Sequence, residues 1–160
     1  MKKYFFLYLM LCVLACKKHS DSPGDTNNPP PTVTYSGNLV KSDSNVVTSA
    51  TGTVSATFHP ANNELDYTFT WQGLTGNPVG MHIHDNGPII IPIEGFPMAT
   101  GGTFSGKATL TAAQVGDLQA GKLYGQIHTA QYPAGEVRGT LANGSQPGGT
   151  PPPPSGNPPY

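Results

Sequence analysis

The sequence predicts an all-β protein, an antiparallel β-sandwich that carries one short helix. Short runs in which apolar and polar residues alternate recur along most of the chain, and this is the period of a strand with one buried face. Turns rich in Gly, Pro and Asn separate the runs at regular spacing, as in sandwiches and barrels. Only one segment carries the start signal of a helix instead.

The strands are assigned from this alternation. In the clearest run, Leu65, Tyr67, Phe69 and Trp71 share one face and form the strongest candidate core stripe. Burying four such side chains is a large part of the apolar burial that a small domain needs. We expect the other strands at Val33–Val40, Thr53–Phe58, Met81–His84, Ile89–Ile93, Thr103–Leu110, Leu123–His128 and Glu136–Leu141.

The helix is predicted to begin after Thr111. In the capping box of Thr111 and Gln114, each side chain can bond to the backbone of the other residue. Gly116 weakens the middle of the segment and Gly121 is a plausible stop, so two to three turns are expected at most. Such a helix connects strands.

The first residues read as a targeting segment. A basic start at Lys2 is followed by about eleven apolar residues, which is too short to span a bilayer. The stretch ends Val-Leu-Ala-Cys at Cys16, which resembles a bacterial lipoprotein cleavage box. The resemblance implies a signal peptide over residues 1–15, cleavage before Cys16 and a lipid anchor on Cys16. An ordinary secretory signal is the alternative. We expect a lipid-anchored protein of a bacterial cell envelope, at the outer membrane or the cell surface.

The mature chain is predicted to hold one domain between two unstructured ends. Residues 16–32 and 143–160 are polar and rich in Pro or Gly, so they are expected to be a tether and a tail. Residues 33–142 remain as one β domain. Cys12 lies in the discarded segment, so no disulfide can form within the chain. A net charge of −1 argues against nucleic acid as a partner.

Three predicted strands carry unusual residues on their polar faces. His82 and His84 share one side of their strand, and His128 lies on the polar side of another. Glu136 and Arg138 are two apart on a third strand and therefore share a face. If these strands are neighbours in the sheet, the five side chains converge.

Two chemistries fit this group of polar residues. His82, His84 and His128 form the minimum set for a zinc or copper site, with Asp85 or Glu136 as a fourth ligand or as a partner of a ring N–H. Alternatively, the group is a metal-free network in which Glu136 pairs with Arg138 and the imidazoles bond around them. No recognisable nucleophile or catalytic set accompanies either arrangement.

Several motifs in order resemble the CHRD domain family, whose name comes from chordin. They are Met81 to His84, an Asn-Gly-Pro turn at 86–88 with its aliphatic run, residues 101–106, residues 118–124, Ile127 to Thr129, and residues 133–141. The resemblance covers Tyr35 to Ala142. It implies a secreted all-β module without established enzymatic activity. In our leading interpretation, strand faces or loops of this module contact protein or glycan partners.

A fainter resemblance is to copper/zinc superoxide dismutase, which also has a His-x-His strand, a late strand histidine and an arginine. Here these are matched by His82, His84, His128 and Arg138, although the bridging-histidine loop and the disulfide of that family are missing. The sandwich is therefore expected to be immunoglobulin-like or superoxide-dismutase-like. The leading functional hypothesis is a non-enzymatic binding or structural role at the cell envelope, and the alternative is a copper- or zinc-binding protein or metalloenzyme.

Overall fold

The computed structural model describes residues 30–144. The signal peptide, Cys16, nearly all of the tether and residues 145–160 of the tail lie outside the described residues. The elements, in chain order, are β1 (Val33–Lys41), β2 (Thr51–His59), β3 (Glu64–Gln72), β4 (Pro78–Asp85), β5 (Ile89–Ile93), β6 (Gly102–Thr109), α1 (Ala112–Gln119), β7 (Leu123–Thr129), β8 (Val137–Thr140) and β9 (Ala142–Asn143).

The strands form one antiparallel sheet in the order β5-β4-β7-β8-β1-β2-β3-β6, and β9 pairs with β1. Strand β1 joins the two halves, because its first part pairs with β2 and its last two residues pair with β8. The sheet folds over on itself and is nearly barrel-like. The all-β prediction with one short helix is confirmed.

The core lies between the two halves of the sheet. The predicted stripe of β3 is buried, with Trp71 only 2 % exposed, and Trp71 Nε1 donates to the carbonyl of Ala99 at 3.0 Å. Gly125 of β7 lies against Phe69, and a Cβ built at Gly125 would approach the Phe69 ring to 2.5 Å. This glycine lets the two halves pack closely.

Helix α1 begins as its sequence predicts. The Thr111 hydroxyl accepts from the Gln114 N–H, and the Gln114 side chain accepts from the Thr111 N–H at 2.8 Å. Past its end, Gly121 has a φ of +70°, which favours glycine. Leu118 is fully buried and attaches the helix to the core. Within residues 30–144, no helix has the length and apolar character that crossing a membrane requires.

Candidate metal centre

The strands that carry the histidines are neighbours. In β4 and β7, His82 pairs with Gln126, His84 with Tyr124, and Gly80 with His128. Met81 and Ile83 alternate with the histidines and are fully buried in the core. The histidines therefore lie on the opposite, outer face of this half of the sheet, as the alternation predicts.

The three imidazoles converge on this outer face. Nδ1 of His82 lies 3.2 Å from Nε2 of His128. The ring centroids of His82 and His84 are 5.6 Å apart, and those of His84 and His128 are 6.0 Å apart. One nitrogen from each ring can be chosen so that all three lie within 4.8 Å of one another. The structure thus brings together the complete predicted histidine set.

Two of the rings are held by backbone carbonyls. His84 Nδ1 donates to the Gly87 carbonyl at 2.8 Å, and His128 Nδ1 donates to the Pro133 carbonyl at 2.9 Å. Because a carbonyl oxygen only accepts, the proton of each neutral ring is on Nδ1. Both Nε2 atoms consequently carry a lone pair, and that of His128 faces His82 Nδ1 at 3.2 Å.

His84 Nε2 has no hydrogen-bond partner among residues 30–144, although it is buried and the whole residue is only 6 % exposed. A buried polar atom without a partner is costly, and such atoms are rare unless they have a role. The lone pair of this atom is therefore unused among the described residues. An electron-pair acceptor placed among the three rings would satisfy it.

The cluster favours neutral imidazoles. Burial, together with the neighbouring His128 and His84, lowers the pKa of His82 to about 4. Burial also lowers the pKa values of His84 and His128, although their carbonyl partners act in the opposite direction. Neutral imidazole is the form that binds metal ions, so near neutral pH the three rings are in the ligating state.

Two glycines make room for this arrangement. A Cβ at Gly80 would lie 3.1 Å from Cε1 of His82 and 3.6 Å from Cδ2 of His128, so a side chain here would crowd both rings. Gly135 has a φ of +117°, and a Cβ there would collide with the Gln126 amide. Since Gln126 Nε2 also donates to the Ala134 carbonyl, this glycine lets the turn that carries Pro133 lie close against the strand.

Tyr124 and Arg138 extend the cluster along the outer face. The Tyr124 ring is stacked on His84, with centroids 4.9 Å apart and planes 4° apart. The Arg138 guanidinium carbon lies 5.5 Å from the Tyr124 centroid. Tyr124 therefore contacts both a predicted ligand and the only arginine of the chain.

The expected ion pair between Glu136 and Arg138 does not form. Glu136 is fully buried, and its carboxylate accepts hydrogen bonds from the hydroxyls of Thr48, Thr75 and Thr129, and from the Thr75 N–H, at 2.6–3.0 Å. Gly135, Glu136 and Val137 are buried in succession, so strand alternation does not yet hold at Glu136, which precedes β8. Its side chain consequently reaches the threonines, while Arg138 lies over Tyr124.

Asp85 also does not join the histidines. It follows His84 directly, and alternation turns it toward the opposite side of β4. There its carboxyl shares a hydrogen bond with Asp117 of α1, and burial together with that contact raises the pKa of Asp85. The carbonyls of Gly87 and Pro133 take the role of ring N–H partner that Asp85 or Glu136 was expected to fill.

A second group of potential ligands, His59, Glu64 and Asp66, lies where β2 turns into β3. His59 Nε2 is 3.1 Å from Asp66, and Lys107 Nζ lies 2.9 Å from Glu64 and 3.0 Å from Asp66. The lysine already forms ion pairs with both carboxylates. This group is therefore a network of ion pairs and hydrogen bonds between β2, β3 and β6.

Tyr124, Gln126 and the three threonines around Glu136 were not singled out as site residues from the sequence. The alternation did place Tyr124 and Gln126 on the polar face, which was a usable signal. No sequence signal indicated the carbonyls of Gly87 and Pro133, because every residue has a carbonyl. Only the turns after β4 and β7 place these two oxygens next to the rings.

Comparison with known proteins agrees with the motif order. Residues 32–141 match the CHRD domain family, which is more than half of the chain and nearly all of the described residues. Neither the curated proteins nor the solved structures contain a significant match. By the extent of the family match, the chain belongs to the CHRD domain family.

Proposed function

We propose that this CHRD domain binds one transition metal ion, copper or zinc, through His82, His84 and His128. The observation that carries the proposal is the position of the proton on the His84 and His128 rings. Each donates its Nδ1 proton to a backbone carbonyl, so its Nε2 carries the lone pair that a metal ion would need. Metal-bound histidines characteristically have this arrangement, in which the second ring nitrogen is held by a carbonyl or a carboxylate.

The spacing of the rings supports the same proposal. Two nitrogens on one tetrahedral zinc ion lie about 3.3 Å apart, given bond lengths of 2.0–2.1 Å. His82 Nδ1 and His128 Nε2 are already 3.2 Å apart. The buried Nε2 of His84 supplies the third ligand after a modest side-chain movement. Imidazole suits both copper and zinc, so the residues leave the choice between these two ions open.

The test is the metal content and affinity of the purified full chain. Isothermal titration with zinc and with copper is expected to give one strong site per chain. His84→Ala and His128→Ala should each weaken binding by tenfold or more, since a buried, pre-oriented ligand is lost. His59→Gln is the matched control and should bind as the unaltered chain does. If the triple alanine variant of the three ligands keeps the stoichiometry and affinity, the proposal is wrong.

The same titration separates metal binding from a purely structural cluster. A metal-free role for the three rings predicts that the alanine variants melt at lower temperature while neither ion binds the unaltered chain strongly. In the metal-binding role, zinc or copper raises the melting temperature of the unaltered chain, because a ligand that binds only the folded state stabilises it. The triple variant must not show that rise.

We also propose that the domain is displayed outside the cytosol by a lipid on Cys16. The support is the basic start, the apolar stretch and the Val-Leu-Ala-Cys box described above. Expressed with its own N-terminus in a bacterium, the chain should partition with membranes and lose residues 1–15. Cys16→Ser should release it from the membrane fraction. A Cys16→Ser protein that stays in that fraction would contradict the anchor.

A further inference from the structure

We infer that the metal centre takes a small oxyanion, a carboxylate or a phosphate, as an outside ligand held between the ion and the Arg138 guanidinium. This inference rests on the proposed metal-binding function. It adds a ligand class and a recognition residue that the three histidines alone do not provide.

Three histidines do not fill the coordination sphere of a zinc ion. Zinc sites with three protein ligands keep at least one position for an outside ligand, whereas structural sites use four. Neither Asp85 nor Glu136 supplies a fourth ligand, because both carboxylates are engaged elsewhere. His82 is the most exposed of the three histidines, so the cluster is open to solvent on its side.

Arg138 lies in the same row of the sheet as His82. In the register of the sheet, His82 pairs with Gln126 and Gln126 pairs with Arg138, so the three lie in one row across β4, β7 and β8. The guanidinium carbon is 5.5 Å from the Tyr124 centroid, and Tyr124 is stacked on His84. A continuous stack of side chains thus holds the guanidinium on the same face as the histidines.

Arg138 has N–H donors that it can offer to a ligand. Among residues 30–144, its guanidinium forms neither an ion pair nor a hydrogen bond. Guanidinium has five N–H donors in a planar fork that matches carboxylate and phosphate oxygens, and stacking on an aromatic ring fixes its plane. A half-buried arginine that is fixed but unpaired is therefore ready to bind an oxyanion with two hydrogen bonds.

The charge of the site also favours an anionic ligand. Three neutral imidazoles around a divalent cation, with a guanidinium nearby, give a net positive centre. Neither Glu136 nor Asp85 is available to bind the ion, since the Glu136 carboxylate is bound by three threonines and the Asp85 carboxyl is shared with Asp117. A small oxyanion would balance this charge by contacting the ion and the guanidinium together.

The experiment uses the full chain loaded with copper(II), in a buffer that does not coordinate metal. Acetate and inorganic phosphate are titrated separately, and the visible absorption of the copper ion reports a change of its ligands. The variants are Arg138→Gln, Arg138→Lys and, as a matched loss of positive charge, Lys41→Gln, in which the residue lies on β1 beside Val137. Copper content and melting temperature are measured for each variant.

At least one of the two anions should change the spectrum of the unaltered chain. Arg138→Gln should weaken the binding of that anion by about tenfold or more, which is the range for loss of a charge-assisted hydrogen-bonded pair. Arg138→Lys should recover only part of the affinity, and Lys41→Gln should change it less than twofold. Copper content should be equal in all four proteins.

Two results would overturn the inference while leaving the metal site intact. One is a copper-loaded chain whose spectrum responds to neither anion. The other is an Arg138→Gln variant that binds the anion as tightly as the unaltered chain, which would mean that the ion alone holds it. A chain that binds no copper would instead overturn the proposed function.

Discussion

Nδ1 of His82 lies 3.2 Å from Nε2 of His128, and a hydrogen bond joins them. His128 Nδ1 already donates to the Pro133 carbonyl, so Nε2 is the acceptor and His82 donates. Two nitrogens on one tetrahedral zinc ion have nearly the same separation, about 3.3 Å. The pair therefore holds similar spacing with a shared proton and with a shared ion. Metal binding requires the His82 proton to move from Nδ1 to Nε2, but little movement of the two rings.

The first prediction concerns the pH dependence of stability in the chain kept metal-free by a chelator. The pKa of His82 is lowered to about 4 in the folded state, from an ordinary value near 6.5. Between these values the unfolded chain binds a proton that the folded chain does not, so stability falls as the pH falls through this window. His82 accounts for up to about 3 kcal/mol of that loss. Urea unfolding at intervals from pH 7.5 to pH 4 measures it.

The control for this prediction is His82→Gln, which removes the titrating ring. Its stability should change less steeply than that of the unaltered chain between pH 6.5 and pH 4. Equal slopes for the two proteins would show that His82 titrates normally in the folded state, contrary to its burial in the cluster.

The second prediction concerns the turn that carries Pro133. Gly135→Ala places a Cβ at a φ of +117° and against the Gln126 amide. The turn must move, and the hydrogen bond from His128 Nδ1 to the Pro133 carbonyl is then weakened. We expect a loss of about 1–3 kcal/mol in stability and a weaker metal affinity. Gly121→Ala is the control, because it has a φ of +70° with no atom within 4 Å of its Cβ. If both variants bind metal equally well, the turn does not position the site.

The third prediction concerns the buried carboxylate. Burial raises the pKa of Glu136, but the hydrogen bonds from Thr48, Thr75 and Thr129 outweigh this effect and hold the pKa below its usual value. Glu136→Gln puts an NH₂ group where a carboxylate oxygen accepts, and should cost about 1–3 kcal/mol in urea unfolding. The exposed Glu94→Gln should be neutral within about 0.5 kcal/mol. A neutral Glu136→Gln would mean that the carboxylate is protonated in the folded state.

The fourth prediction concerns the core. Trp71 is 2 % exposed and its indole N–H donates to the Ala99 carbonyl. Trp71→Ala should lower the free energy of unfolding by about 3–5 kcal/mol, which is the range for deleting a buried large aromatic side chain. Thr70→Ala, on the exposed face of the same strand, should cost far less. A Trp71→Ala loss below about 1 kcal/mol would contradict the packing described for β3.

Much of the fold could be predicted because its signals are local. Alternation in β3 identifies the buried stripe, and the Thr111–Gln114 box specifies the start of α1. Parity also predicted that His82, His84 and His128 lie on polar faces. Their convergence depended on β4 and β7 being neighbours, a long-range pairing that alternation within single strands does not determine.

The surroundings of the histidines were harder to predict for physical reasons. Glu136 was expected beside Arg138 because the two are separated by one residue, but strand geometry begins only at Val137. Its partners Thr48 and Thr75 come from loops whose paths depend on the whole packed structure. The ring-holding carbonyls belong to turns, and their orientation depends on backbone angles such as the positive φ of Gly87 and Gly135.

The most direct test of the central claim is X-ray absorption spectroscopy of the zinc-loaded full chain. We expect three imidazole nitrogens at about 2.0–2.1 Å, completed by an outside ligand. His59→Gln should leave the spectrum unchanged, and His84→Ala should reduce the imidazole count by one. A zinc ion with one imidazole or none, or a spectrum that is the same in the triple alanine variant, would contradict the claim that His82, His84 and His128 form a metal centre.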